Sequence, residues 1–248
     1  MGHNIDASPR PTPRLIGVVY LLYFVTALTG GMLLKGIVNP HDAAATAQNI
    51  LAHEAVYRAG VGIGLLGNLV YLALGVLFCG LFARVNWTVS LFMALVNVVG
   101  CAVQIFAAVL QTAPFVVLRN AQLAHALTPP QLQALTLLSV SLYAQSFDVS
   151  FALFALWDVL IGYLIFRSTF LPRWLGVLWM IGGAIGLSFL YPPFAHPLWS
   201  VIIPAAGLPE LVLMVWLLWK GVDLPAWQRL ARVDGDDARR TTDHVVTA

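Results

Sequence analysis

Charged side chains are scarce in this sequence. Asp, Glu, Lys and Arg make up 10% of its 248 residues, where a soluble domain carries about a quarter. That shortage excludes an ordinary soluble fold, and it excludes disorder everywhere but the ends. A formal net charge of only +2 leaves no basic surface for nucleic acid. Cysteine is nearly absent, and its two copies, Cys79 and Cys101, fall inside apolar runs. They read as small buried side chains, not as a disulfide or a metal pair. The common catalytic signatures are missing as well: no H-E-x-x-H, no His pair four apart, no nucleophile elbow, no phosphate-binding loop and no dinucleotide fingerprint. Asp6 stands where a myristoylation signal needs Ser or Thr. No cofactor is expected.

What the chain has is apolar length. Hydrophobic residues make up 60% of it, gathered into runs that predict an all-α membrane protein with six transmembrane helices. These are roughly Leu15–Leu34, Tyr57–Phe82, Thr88–Leu118, Leu132–Phe166, Trp174–Tyr191 and Trp199–Trp219. The first run is longer than the apolar region of a signal peptide and lacks a clear cleavage site, so it reads as an uncleaved span. The fourth would extend about 52 Å as one helix, well beyond a ~30 Å hydrocarbon core. It must project from the membrane or break near Gln145–Asp148. The last span reads as interrupted by Pro204 and Pro209. Asn39-Pro40 reads as the cap and first position of a surface helix over His41–Glu54, and Thr128 with Gln131 as a capping box. The expected organisation is a polar tail over 1–13, a six-helix domain over 14–222, and a mostly disordered tail over 223–248 with a short surface helix at Ala226–Val233.

An even number of spans puts both termini on one side. Arg84, Arg167, Arg173, Lys220 and the basic residues of the tails fall on that side, against Lys35, Arg58 and Arg119 on the other. The positive-inside rule then predicts cytoplasmic termini in a bacterial inner membrane.

The few polar residues inside the spans are patterned. Ser90, Asn97, Gln104 and Gln111 recur every seven residues, which is nearly two turns, so they form one seam drifting ~20° per step. Such a seam turns toward protein or water. Gly60, Gly64, Gly67 and Gly75 give the second span a face for close helix approach, and Gly182 and Gly186 do so for the fifth. Counted from the cytoplasmic ends, Asp158, Glu210 and Asn97 lie about 14–15 Å deep, near the midplane. They are the candidate ion- or proton-coupling residues. Farther out come Asn68 and Gln104 at about 24 Å and Asp148 at about 28 Å, then Gln145, Glu54 and Arg58 at the outer rim. These six predict an outward-facing polar pocket for a small ligand or ion, with Arg58 as its cation and Asp148 as the counter-ion. Glu54 and Arg58 are four apart in the favourable order for an ion pair. Two other readings compete. His41, His53, His125 and His196 on the outer side, with Glu54 or Asp148, suggest a metal-dependent intramembrane hydrolase, although their spacing supplies no ligand set. A partner subunit or homo-oligomer without its own ligand is the third, its polar seam covered by another chain.

Several stretches also resemble a known family. Asp42–Thr46 with Asn49-Ile50 and Arg58, Pro130–Leu135 with Asp148, Gly162–Ser168 with Leu171-Pro172-Arg173 and Gly176, and Glu210 with Lys220-Gly221-Val222 carry the likeness. On these the chain resembles the bacterial membrane proteins grouped as domain of unknown function 4386, from about Arg14 to Val222. Family members often have His where this chain has Trp157. The resemblance implies that Arg58, Asp148 and Glu210 are shared positions. It brings no reaction, ligand or cofactor.

Overall fold

The computed structural model describes residues 13–39 and 41–229. Helix is the regular structure throughout, and no strand occurs among the described residues. A backbone in hydrocarbon has no water to bond, so it must close its hydrogen bonds within its own segment, and an uninterrupted helix does that. The elements are α1 (Pro13–Leu34), α2 (Ala43–Ala52), α3 (Glu54–Phe82), α4 (Trp87–Arg119), α5 (Ala121–Ala126), α6 (Pro129–Arg167), α7 (Arg173–Gly186), α8 (Pro192–Ala195) and α9 (Trp199–Trp219). Short 3-10 turns at Leu187–Leu190 and His196–Leu198 join α7, α8 and α9. Six helical segments among the described residues are long and apolar enough to cross a membrane. The chain is a multi-pass membrane protein, and the Leu, Val and Phe side chains exposed along α1, α3, α4 and α9 suit a lipid environment.

Capping residues set several helix starts. The Asp42 carboxylate accepts from the Ala45 N–H at 2.9 Å, so α2 is capped by Asp42, three residues later than the Asn39 predicted. The acidic cap wins because its side chain meets a free N–H of the first turn; Asn39 instead accepts from the His41 N–H. Asn86 caps α4 through the Val89 N–H at 3.0 Å. The Thr128 N–H donates to Gln131 Oε1 at 2.8 Å, as a capping box requires.

Two long-range expectations resolve differently. α6 is one unbroken helix of 39 residues, about 58 Å long, nearly twice a ~30 Å hydrocarbon core. α2 packs against it. α9 likewise runs unbroken through Pro204 and Pro209, which corrects the interrupted span predicted. Proline removes one bond to the carbonyl a turn earlier, and here the helix tolerates that loss. Residues 224–229 are helical; the rest of the predicted surface helix lies outside the described residues.

Helix packing follows the small residues. A Cβ on Gly162 would meet the Gly176 carbonyl at 2.7 Å, and one on Gly176 would meet the Gly162 carbonyl at 2.6 Å. α6 and α7 therefore touch backbone to backbone. Gly60 and Gly67 of α3 admit Leu34 and Thr26 of α1, and Gly182 admits Pro209 of α9. The largest core cluster is built on Tyr20, Tyr71, Phe78, Trp157, Trp179 and Leu213. At the end of the bundle nearest this cluster, the Arg84 guanidinium lies 4.5 Å over the Trp227 ring, Phe82 stacks on Phe170, and the Asp223 N–H donates to the Phe170 carbonyl at 3.2 Å. The connections 83–86, 168–172 and 220–227 thus gather at one end. At the other, Asn49 Nδ2 donates to the Ile37 carbonyl and Arg119 reaches Glu54.

Candidate functional site

The polar seam of α4 turns inward. Ser90 and Asn97 are fully buried and Gln111 nearly so, with Gln104 half-buried. Ser90 Oγ donates to the Cys79 carbonyl at 2.9 Å, and the Gln111 carbonyl accepts from the Tyr57 hydroxyl at 2.9 Å. α4 lies between α3 and α6, so a seam that needs protein or water finds protein. An outward-facing seam awaiting another chain is not what this geometry presents.

The structure does not gather the six outer residues into one pocket. Arg58 donates to Glu54 at 2.9 Å and lies 4.0 Å over the Phe115 ring. Glu54 also accepts from Arg119. This clasp ties the start of α3 to the end of α4, and its arginines are more than half exposed, at 57% and 63%. Asp148 pairs instead with His196, Nε2 to Oδ2 at 3.0 Å. The expected Arg58–Asp148 pair is therefore corrected. A nearer carboxylate one turn away satisfies Arg58, and the connection between α8 and α9 folds His196 down onto α6. Asn68 donates to the Gly64 carbonyl of its own helix, and Gln145 is exposed. Among the described residues no group of three His, Cys, Asp or Glu is placed to hold a metal.

Of the three deep residues, Asp158 of α6 and Glu210 of α9 lie within electrostatic reach of each other, on helices that both pack against α7. The surrounding rings show how. Trp157, beside Asp158 in sequence, packs at 5.9 Å on Trp179 of α7, and the Trp179 Nε1–H donates to the Pro209 carbonyl at 2.9 Å. Pro209 precedes Glu210. From α1, the buried Tyr20 hydroxyl sits beside Glu210, and Tyr23 faces both carboxylates. Tyr71 of α3 faces them as well and stacks against Tyr23 at 4.4 Å and Trp157 at 5.1 Å. Asn97 of α4 is fully buried, pressed against Gly75 of α3 with Cys101 next to it. Among the described residues no Arg, Lys or His joins this group.

Asp158 Oδ1, Asn97 Nδ2 and Trp157 Nε1 are buried without a hydrogen-bond partner in the rest of the described protein. Buried polar groups left so cost about 1–3 kcal/mol each unless water reaches them. Asp158 itself is 5% exposed. Glu210 is only partly buried.

The comparisons with known proteins bear on this frame. The family described as "Domain of unknown function (DUF4386)" matches residues 15–221. The chain belongs to it. That match covers all six spans, from α1 to the end of α9. No curated protein and no solved structure matches the chain.

Sequence reasoning singled out Asp158, Glu210 and Asn97 from depth alone. It missed Tyr20, Tyr23, Tyr71 and Trp157. A signal was there: tyrosine and tryptophan favour membrane interfaces, and these four lie deep in their spans. It also missed His196 and Arg119 as ion-pair partners, because sequence does not show which loop folds over which helix.

Proposed function

We propose that this DUF4386 protein binds a small ion or solute within the bacterial inner membrane and moves it across. Asp158 and Glu210 would be the coupling pair, with Asn97 as a polar neighbour. One observation supports this above the others: two carboxylates from different helices interact electrostatically within an apolar bundle, with no cation beside them among the described residues. A pair that served only to lock helices together would be stronger with an arginine or lysine partner, since an uncompensated buried carboxylate is destabilising. Both termini are cytoplasmic in this proposal, following the basic side chains at the end that carries Arg84, Arg167, Arg173 and Lys220. The outer ties, Glu54 with Arg58 and Arg119, and Asp148 with His196, would border the route inward, with Gln104, Asn68 and Gln145 between the rim and the midplane.

The test is flux. The protein is reconstituted in liposomes enclosing a pH-sensitive dye, and gradients of protons, sodium and potassium are imposed with and without a membrane potential. At least one gradient should dissipate faster than in protein-free liposomes. Asp158→Asn and Glu210→Gln should each abolish that difference while remaining monodisperse and folded. Flux equal to that of empty liposomes under every gradient overturns the proposal.

A further inference from the structure

We infer that the end of α9 carries a site for one anionic phospholipid, with its phosphate on Lys220 and an acyl chain laid along the groove that leads away from it. The inference does not depend on the ion-handling proposal. It rests on the shape of the groove, the direction of the lysine and the placement of nearby carboxylates.

The groove has a volume of about 370 Å³ and is lined by Leu211, Val212, Val215, Trp216, Trp219 and Lys220. Lys220 is the one charged side chain among them. From Lys220 back to Leu211 is nine residues, about 14 Å along the helix. That is about half of a ~30 Å hydrocarbon core, the depth of one leaflet. α9 packs on α1 and α7, while Leu211, Val215 and Trp219 stay exposed. The groove therefore opens toward lipid. Trp219, 78% exposed, stands at the charged end, where tryptophan meets headgroups.

A lysine at a helix end usually stretches out to water. Here the Lys220 Nζ folds back over the Trp216 ring, 4.4 Å from its centre, at the mouth of the groove. The helix stops directly behind it. Gly221 takes a φ of 70°, and its N–H donates to the Trp216 carbonyl at 3.0 Å. The acid nearest in sequence is engaged elsewhere: Asp223 Oδ1 accepts from the Ala226 N–H at 3.0 Å. No described carboxylate forms an ion pair with Lys220. Trp216 also packs edge-on against Trp174 at 5.9 Å, which brings the start of α7, with Arg173, to the same end. Arg173 likewise has no carboxylate partner among the described residues. A cation without a counter-ion, above an apolar trough of leaflet depth, fits a molecule with one negative head and a hydrocarbon tail. A zwitterionic lipid fills the trough equally but brings its own cation beside the lysine.

Native mass spectrometry of the full-length protein tests this. The protein is released from nanodiscs containing equal amounts of phosphatidylglycerol and phosphatidylcholine with matched chains. Retained phosphatidylglycerol should exceed phosphatidylcholine about fivefold, the ratio one basic side chain gives near an anionic surface. Lys220→Gln should lose most of that preference. Lys35→Gln, beyond the far end of α1, should keep it. Val215→Phe fills the groove and should lower the retained phosphatidylglycerol with Lys220 still present. All three side chains are exposed, so the variants read binding rather than folding. Equal retention of the two lipids by the wild type overturns the inference. So does a preference that survives Lys220→Gln, or retention that Val215→Phe leaves unchanged. A wild-type dimer that Val215→Phe dissociates would assign the groove to a second copy of the chain and overturn it as well.

Discussion

The Trp179 indole donates to the carbonyl of Pro209 at 2.9 Å, which ties α7 to α9 at the residue before Glu210, while the same ring packs on Trp157 of α6. Both ring and bond are buried. α7 contributes no charge to the centre of the bundle, yet it links the two helices that do. Positioning of this kind comes from a neutral side chain whose one N–H has one acceptor in reach.

Trp179→Phe keeps most of the ring and removes the donor. It should lower stability by about 1 kcal/mol, the usual size for a helix–helix hydrogen bond in a membrane. Trp179→Ala should cost about 3–5 kcal/mol, through the cavity it opens. Thermal melts in one detergent would show whether the two variants separate in this order. Equal losses would mean that the bond contributes nothing.

Backbone contact between α6 and α7 makes Gly162 and Gly176 intolerant of a side chain. Gly176→Ala should destabilise by about 1–3 kcal/mol, because backbone atoms of Gly162 and Phe166 stand where the methyl must go. Gly207→Ala is the control. Nothing lies within 4 Å of a Cβ there, and replacing a helical glycine should be neutral or stabilising by up to about 1 kcal/mol. Melting temperatures that move together would refute the contact.

Double-mutant cycles separate the ion pairs. Arg58→Ala and Glu54→Ala should be non-additive, as should His196→Ala and Asp148→Ala, since each pair is in contact. With His196 about half exposed, its coupling should not exceed about 1 kcal/mol. Arg58→Ala and Asp148→Ala should simply add. Coupling in that last cycle would restore the ion pair first suggested by sequence.

Topology is tested by labelling. In a variant with Cys79 and Cys101 replaced by Ala, Asp223→Cys should react with an impermeant maleimide only from the cytoplasmic face. His41→Cys should react only from the opposite face. Both positions are exposed. Reversed labelling would overturn the orientation.

The membrane class of this chain and its six spans were legible from residue order. Both depend on a local quantity: how many apolar residues run together. The inward turn of the α4 seam was legible too, because a seven-residue repeat on a helix keeps one face. Within one helix a partner was legible: the four-residue spacing read Glu54 and Arg58 as an ion pair, and the structure holds it. Across helices partners were not, and Asp148, read as the counter-ion of Arg58 on height alone, pairs with His196 instead. The prolines of α9 read as breaks, because sequence shows the N–H they lack but not the packing that holds the helix together around them. Tertiary structure alone decided that Tyr20 and Tyr71 come near Asp158 and Glu210. Depth along a helix follows from counting residues, whereas neighbours across helices depend on how every other helix is rotated and packed.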